Sequence, residues 1–90
     1  MKLSKHSIER MKERANIKNQ KIRENFFRNA LRNGLSINQI KDEKIQKKLE
    51  KRIKYNSQIK VYKGYVFIYS KNSHQLYTLY RMEELWKIYL

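Results

Sequence analysis

The chain has 90 residues, 22 of them Lys or Arg and 8 Asp or Glu, for a formal net charge of +14 and a pI near 10.2. That length fits one domain with one modest core, and the absence of cysteine excludes disulfides and Cys-ligated metals. No stretch approaches a transmembrane span and the start MKLSKHSIER lacks the apolar run of a signal peptide, so a cytoplasmic protein with a polyanionic partner, and no membrane, is expected.

The first half, about residues 4–54, reads as three helices. Ser4 is an N-cap candidate for a helix to about Ala15, with Ile8, Met11 and Ala15 on one stripe. His6, Arg10 and Glu13 fall on the opposite face, with Arg14 beside them. The second helix runs from about Asn19 to Asn33. It carries Ile22, Phe26 and Ala30 at spacing four, with Phe27 and Leu31 widening the stripe. Gly34 fits the left-handed position that follows a helix end. The third helix starts after Ser36 or Asp42, and Ser36 with Gln39 resembles a capping box. Ile45, Leu49 and Ile53 form its apolar stripe, while Lys44, Lys47, Lys48, Lys51 and Lys54 cover the other side.

From Gln58 the period changes to two, and a β-meander is expected over about residues 58–80. Ile59 to Tyr62 alternates, Lys63-Gly64 suits a tight turn, and Tyr65 to Tyr69 is aromatic and β-branched throughout. Ser70 to Ser73 make the next turn, and His74 to Tyr80 the third strand. A short amphipathic C-terminal helix, Glu83 to Leu90, carries Leu85, Trp86 and Tyr89. The expected class is α+β: a single domain, residues 1–90, with N-terminal helices packed on a C-terminal antiparallel meander of three or more strands. Phe26, Phe27, Val66, Ile68, Leu76 and Leu79 are the candidates for one core between helices and sheet.

The sharpest constellation is His6, Arg10 and Arg14 at four-residue intervals. Arginine presents a fork that matches phosphate oxygens, and histidine can move a proton near neutral pH. The competing reading is a solvated helix face. A second set lies on the last strand. By period two His74, Leu76, Thr78 and Tyr80 share one face, and Tyr77, Leu79 and Arg81 the other. The chain's 7 tyrosines are packing residues in a half-buried sheet, or stacking platforms for unpaired bases on an exposed one. The lysines of the third helix, Lys44, Lys47, Lys48 and Lys51, with Arg81 and His74, are the candidate nucleic-acid contacts. Two histidines and scattered carboxylates make no convincing zinc site, and only Gly34 and Gly64 are available for a phosphate loop, so no metal or cofactor is expected.

The opening SKHSIERMKER resembles small phage and bacterial domains of unknown function that begin S-x-H-A-x-x-R-M-x-x-R. Those domains continue through a helical middle with an AL-x-x-G step, here ALRNG at Ala30 to Gly34, to a hairpin ending near LYTLY, here Leu76 to Tyr80. The likeness covers roughly Ser4 to Met82. Ser7 stands where the family has alanine, and the lysine-rich segment from Ser36 to Lys54 departs from its pattern. The family is grouped with the barnase–colicin–RelE superfamily of metal-independent ribonucleases and toxins. The resemblance implies an α+β fold and places the family histidine on His6, its arginines on Arg10 and Arg14, and its late threonine on Thr78, followed by Tyr80.

The expectation is therefore a domain that binds RNA or single-stranded nucleic acid and resembles a metal-independent endoribonuclease. Such cleavage needs a base, an acid and positive charge on the phosphorane. His6 would be base or acid, Arg10 and Arg14 the charge clamp, and Thr78 or Tyr80 would position the phosphate. The alternative is a non-catalytic, phage-type inhibitor or adaptor acting on a host nucleoprotein complex or an acidic partner, in the manner of an anti-CRISPR protein.

Overall fold

The computed structural model describes residues 2–53 and 56–82. The fold is α+β: helices α1 (Lys5–Arg14), α2 (Gln20–Asn33) and α3 (Glu43–Glu50), and a five-stranded sheet. The strands are β1 (Lys2–Leu3), β2 (Leu35–Ser36), β3 (Ser57–Tyr62), β4 (Tyr65–Ser70) and β5 (Gln75–Arg81), in the order β1-β5-β4-β3-β2. Four strands, β2 to β5, are antiparallel neighbours, and β1 adds a short parallel edge to β5. The expected C-terminal helix, Glu83 to Leu90, lies outside the described residues, as does Lys54.

Local chemistry sets the helix starts where the sequence places them. Ser4 Oγ accepts from Ser7 N at 3.1 Å, Asn19 Oδ1 from Ile22 N at 3.2 Å, and Asp42 Oδ1 from Lys44 N at 2.9 Å, each satisfying an amide that has no partner within its helix. The capping box on Ser36 also forms, with Ser36 N donating to Gln39 Oε1 at 3.0 Å, but it opens a 3₁₀ turn, Ile37–Gln39, in place of a helix. The third helix therefore begins after Asp42 and ends at Glu50, which puts Ile53 past its end and 40% exposed.

Gly34 is extended (φ −70°, ψ 158°), not left-handed as expected from its place after a helix. Its role is close approach: a Cβ there would lie 2.4 Å from Ala30 O and 3.2 Å from both Val61 O and Lys60 Cβ, where α2 runs into β2 against β3. Gly34→Ala is expected to lower stability by about 1–3 kcal/mol, read from a thermal melt, because the contacting oxygens are backbone and cannot yield. A melt equal to wild type would contradict this close packing.

The expected single core is two, one on each face of the sheet. Met11, Phe27, Ala30, Phe67, Tyr69, Leu76 and Leu79 are buried together on the α1 and α2 side. Leu49, Ile59, Val66 and Ile68 are buried on the α3 side, with Ile37, Ile40 and Ile45 packed against them. Val66 and Ile68 thus alternate with Phe67 and Tyr69 along β4, the central strand, which is buried on both faces and reads as a continuous apolar run for that reason. Phe26 is only half-buried, ringed by Tyr62, Tyr65 and Phe67 at centroid distances of 5.9, 5.5 and 5.1 Å.

The β3–β4 turn is as expected: Lys63 (φ 48°) and Gly64 (φ 82°) supply the two positive φ angles of a type I′ connection. Strand β5 departs from simple alternation. Ile68 pairs with Thr78 and Tyr69 with Leu76, so Tyr77 is an extra, bulged residue. The bulge puts Leu76 on the same face as Leu79, opposite Tyr69 and Phe67, and leaves Thr78 and Tyr80 on the other face, opposite Ile68 and Val66. It overturns the period-two grouping of Leu76 with Thr78 and Tyr80. His74, expected at the head of this strand, instead closes the preceding turn at φ 54°.

Candidate nucleic-acid interface

The His6–Arg10–Arg14 series divides in two. Arg10 Nε donates to His6 Nε2 at 3.3 Å, and Arg10 Nη1 meets Glu13 Oε2 at 3.0 Å. This ladder lies on the outer face of α1, with His6 and Glu13 exposed. Arg14 turns the other way. Its Nη1 donates to Leu79 O at 2.7 Å and its guanidinium carbon lies 4.8 Å from the centroid of the Tyr80 ring. The Arg14 carbonyl accepts from Arg81 Nε at 2.7 Å and from the Tyr65 hydroxyl at 3.4 Å.

Those bonds have a structural reason. Strand β1 pairs only with Gln75 and Leu76, which leaves the outer edge of β5 open beyond them. Ser4 covers the next positions, its N donating to Leu76 O and its Oγ to Tyr77 O, each at 3.0 Å. Arg14 covers Leu79. Ser7, where the resembling family has alanine, is fully buried beneath this edge with Oγ bonded to Ser4 O at 2.8 Å. Because a charge-assisted bond to a part-buried carbonyl is worth about 1.5–3 kcal/mol, Arg14→Ala is expected to destabilise by that amount in a urea titration. His6→Ala and Arg10→Ala should change stability by no more than a few tenths of a kcal/mol, as on a solvated helix face. Equal stability of all three variants would contradict the division.

The remaining sequence-predicted residues are spread over the molecule. The Thr78 hydroxyl is buried and makes no hydrogen bond among the described residues. Tyr80 is half-buried, with Arg52 at 5.0 Å from its ring in addition to Arg14. Among the described residues, no hydrogen bond or ring contact joins His6 or Arg10 to Thr78 or Tyr80. Arg81 is exposed. His74 is exposed and packs edge-on at 5.9 Å from Tyr69. Burial pushes the Tyr69 hydroxyl above its ordinary range, and it donates to Gln58 Oε1 at 3.1 Å. On α3, Lys44 and Lys47 are exposed and Lys48 is half-buried, and Lys51, the residue that caps its end, is exposed. A groove of about 370 Å³ beside β3, lined by Ile37, Glu50, Ile53, Ile59, Lys60 and Tyr69 among others, contains none of the sequence-predicted site residues.

Two features escaped the sequence reading. The first is Arg23, 7% exposed within α2, whose Nη1 donates to Lys18 O at 2.7 Å while its Nε is buried with no partner among the described residues. Its position one turn before Phe27 on the buried face is the sequence signal for it. The second is the outer face of α2, where Lys21, Asn25, Arg28, Asn29 and Arg32 are all exposed. At 100° per residue they occupy an arc of about 100°. The helix's one carboxylate, Glu24, lies off this arc, half-buried and bonded to Gln20 Nε2 at 3.3 Å. The polar residues at 21, 25, 28 and 32 repeat at helical spacing opposite Phe27, and that period was available in the sequence.

The described strand tyrosines mostly pack within the fold. Among the strand tyrosines Tyr62, Tyr65, Tyr69, Tyr77 and Tyr80, only Tyr77 is exposed, at the bulge. Among the described residues no helix is long and apolar enough to cross a membrane, and no group of three or more His, Asp or Glu is placed to hold a metal ion. No family model, curated protein or solved structure matches the chain.

Proposed function

We propose that the chain is a nucleic-acid-binding protein that meets the phosphate backbone with its helices. The observation that carries this reading is the way the net charge of +14 is displayed. Lys21, Arg28 and Arg32 on α2, Lys44 and Lys47 on α3 and Lys51 at its end all project into solvent, and the outer arc of α2 holds no carboxylate. Cations so arranged neutralise phosphates and release counterions, which is the main source of sequence-independent affinity. Coverage of both sheet faces supports backbone contact in preference to base stacking.

The ribonuclease expectation has a direct test. Wild type and His6→Ala are incubated with labelled RNA in EDTA, and binding and strand length are read together. Binding with intact RNA in both samples is the expected result. Arg10 occupies His6 Nε2, Glu13 in turn engages Arg10, and neither Thr78 nor Tyr80 is joined to that ladder among the described residues. Cleavage by wild type and not by His6→Ala would make His6 catalytic and overturn the binding-only reading. Absence of binding to any nucleic acid would overturn the proposal itself.

A further inference from the structure

We infer that the outer face of α2 reads duplex DNA from the major groove, an inference that rests on the nucleic-acid reading and names its substrate and its surface. The first support is the kind of side chain displayed. Asn25, Arg28, Asn29 and Arg32 are exposed on one arc, with Lys21 at its start. Arginine presents two donors to guanine O6 and N7, and asparagine presents a donor and an acceptor to adenine N6 and N7. The exposed cations of α3 and its end, Lys44, Lys47 and Lys51, are point charges that hold phosphate without reporting sequence. The face that carries base-reading chemistry is therefore α2.

The second support is shape. Helix α2 has 14 residues and is about 21 Å long. It packs along β3 while α1 packs along β5, so each helix has its own strip of the sheet, and among the described residues no element covers the outer side of α2. The B-form major groove, about 12 Å wide, admits one α-helix. The A-form major groove is too narrow and deep for side chains to read, which selects DNA over RNA duplex. Unpaired bases would need a row of aromatic platforms, and among the strand tyrosines only Tyr77 is exposed, while Tyr62, Tyr65, Tyr69 and Tyr80 are buried or half-buried.

The third support is Ile22, 56% exposed at the margin of the same arc, next to Lys21. In a major groove it meets the methyl group that distinguishes thymine, the one apolar feature the groove offers. Because α2 and α3 cover opposite faces of the sheet, one straight duplex engages only one of them.

The test begins with 20-base-pair DNA duplexes of randomised sequence, from which wild type selects and enriches its preferred ligands. Affinity is then measured for the enriched duplex, for an RNA duplex of the same sequence and for one DNA strand. The DNA duplex should bind most tightly. Arg28→Gln with Arg32→Gln should lose at least about 30-fold on it, since each bidentate pair is worth about fivefold or more. Lys44→Gln, Lys47→Gln and Lys51→Gln together should weaken binding less, and equally for enriched and random duplexes. Arg32→Lys guards against a folding artefact: it keeps the charge and should keep random-duplex affinity while losing the preference for the enriched sequence. Tighter binding to RNA or to the single strand, or loss of binding in the α3 variant with an unaffected α2 variant, would overturn this inference and leave the proposed function standing. No binding by wild type to any of the three would overturn both.

Discussion

Phe27→Ala is expected to lower stability by about 3–5 kcal/mol. Phe27 has no exposed surface, lies parallel to Phe67 at 6.2 Å between ring centroids, and meets the edge of Tyr69 at 5.9 Å. It is the side chain by which α2 is fixed to the central strand, so its removal leaves a cavity between two elements that backbone hydrogen bonds do not join. Domains of this size are stable by only about 5–15 kcal/mol, so such a loss brings the protein close to unfolding. Phe26→Ala provides the contrast. Phe26 is half-buried, water can occupy part of the space it vacates, and the cost should be clearly smaller. Urea titrations of both variants test this, and a Phe26 effect equal to or larger than the Phe27 effect would place the wrong face of α2 against the sheet.

The difference between those neighbours shows how far the sequence could be read. The apolar stripe of α2 was legible as a period, but the period allows Ile22, Phe26 and Ala30 to lead it, whereas the structure buries Arg23, Phe27 and Ala30. A rotation of one residue separates the two, and only the position of β4 decides between them. The Ser4 cap was legible because caps are local, and Asn19 and Asp42, read as helix starts (Asp42 as one of two), also satisfy amides within three residues. The three meander strands and the Lys63-Gly64 turn were legible for the same reason, whereas the two-residue strands β1 and β2, which form only by pairing with β5 and β3, were not. Long-range facts were not. Nothing local indicates that Gly34 is needed for approach to β3, that Tyr77 is a bulge, or that the lysine-rich segment crosses to the second face of the sheet.

The candidate site follows the same division. His6 and Arg10 were legible as neighbours because spacing on one helix sets their distance, and they do meet. Arg14 shares that spacing, yet the open edge of β5 draws it away to Leu79 and Tyr80. Four-residue intervals report which residues can share a face, while tertiary structure decides what each one touches. The opening motif therefore combines an exposed histidine–arginine–glutamate ladder with an arginine that fastens α1 to the sheet edge.

The second large effect is on affinity. A protein that neutralises about 6–10 phosphates loses about 10³–10⁵ in affinity between 50 and 200 mM salt, because the counterions it displaces must be released into a more concentrated solution. The α1–α2 side of the sheet has cations enough for that number, with six exposed lysines and arginines on those helices and the segment between them, at positions 5, 12, 18, 21, 28 and 32. Affinity should depend little on pH across the range in which lysine and arginine stay charged. Neutralising side chains in the interface should lower the salt slope by about one for each phosphate contact removed.

The most direct measurement is therefore the slope of log Kobs against log salt concentration for wild type on a labelled 20-base-pair duplex, taken over 50–200 mM. A steep negative slope, on the order of −5 or beyond, is the predicted result, with a shallower one for the variant carrying Arg28→Gln and Arg32→Gln. A flat slope, or no binding at the lowest salt, would contradict the claim that the displayed charge of these helices is a nucleic-acid interface.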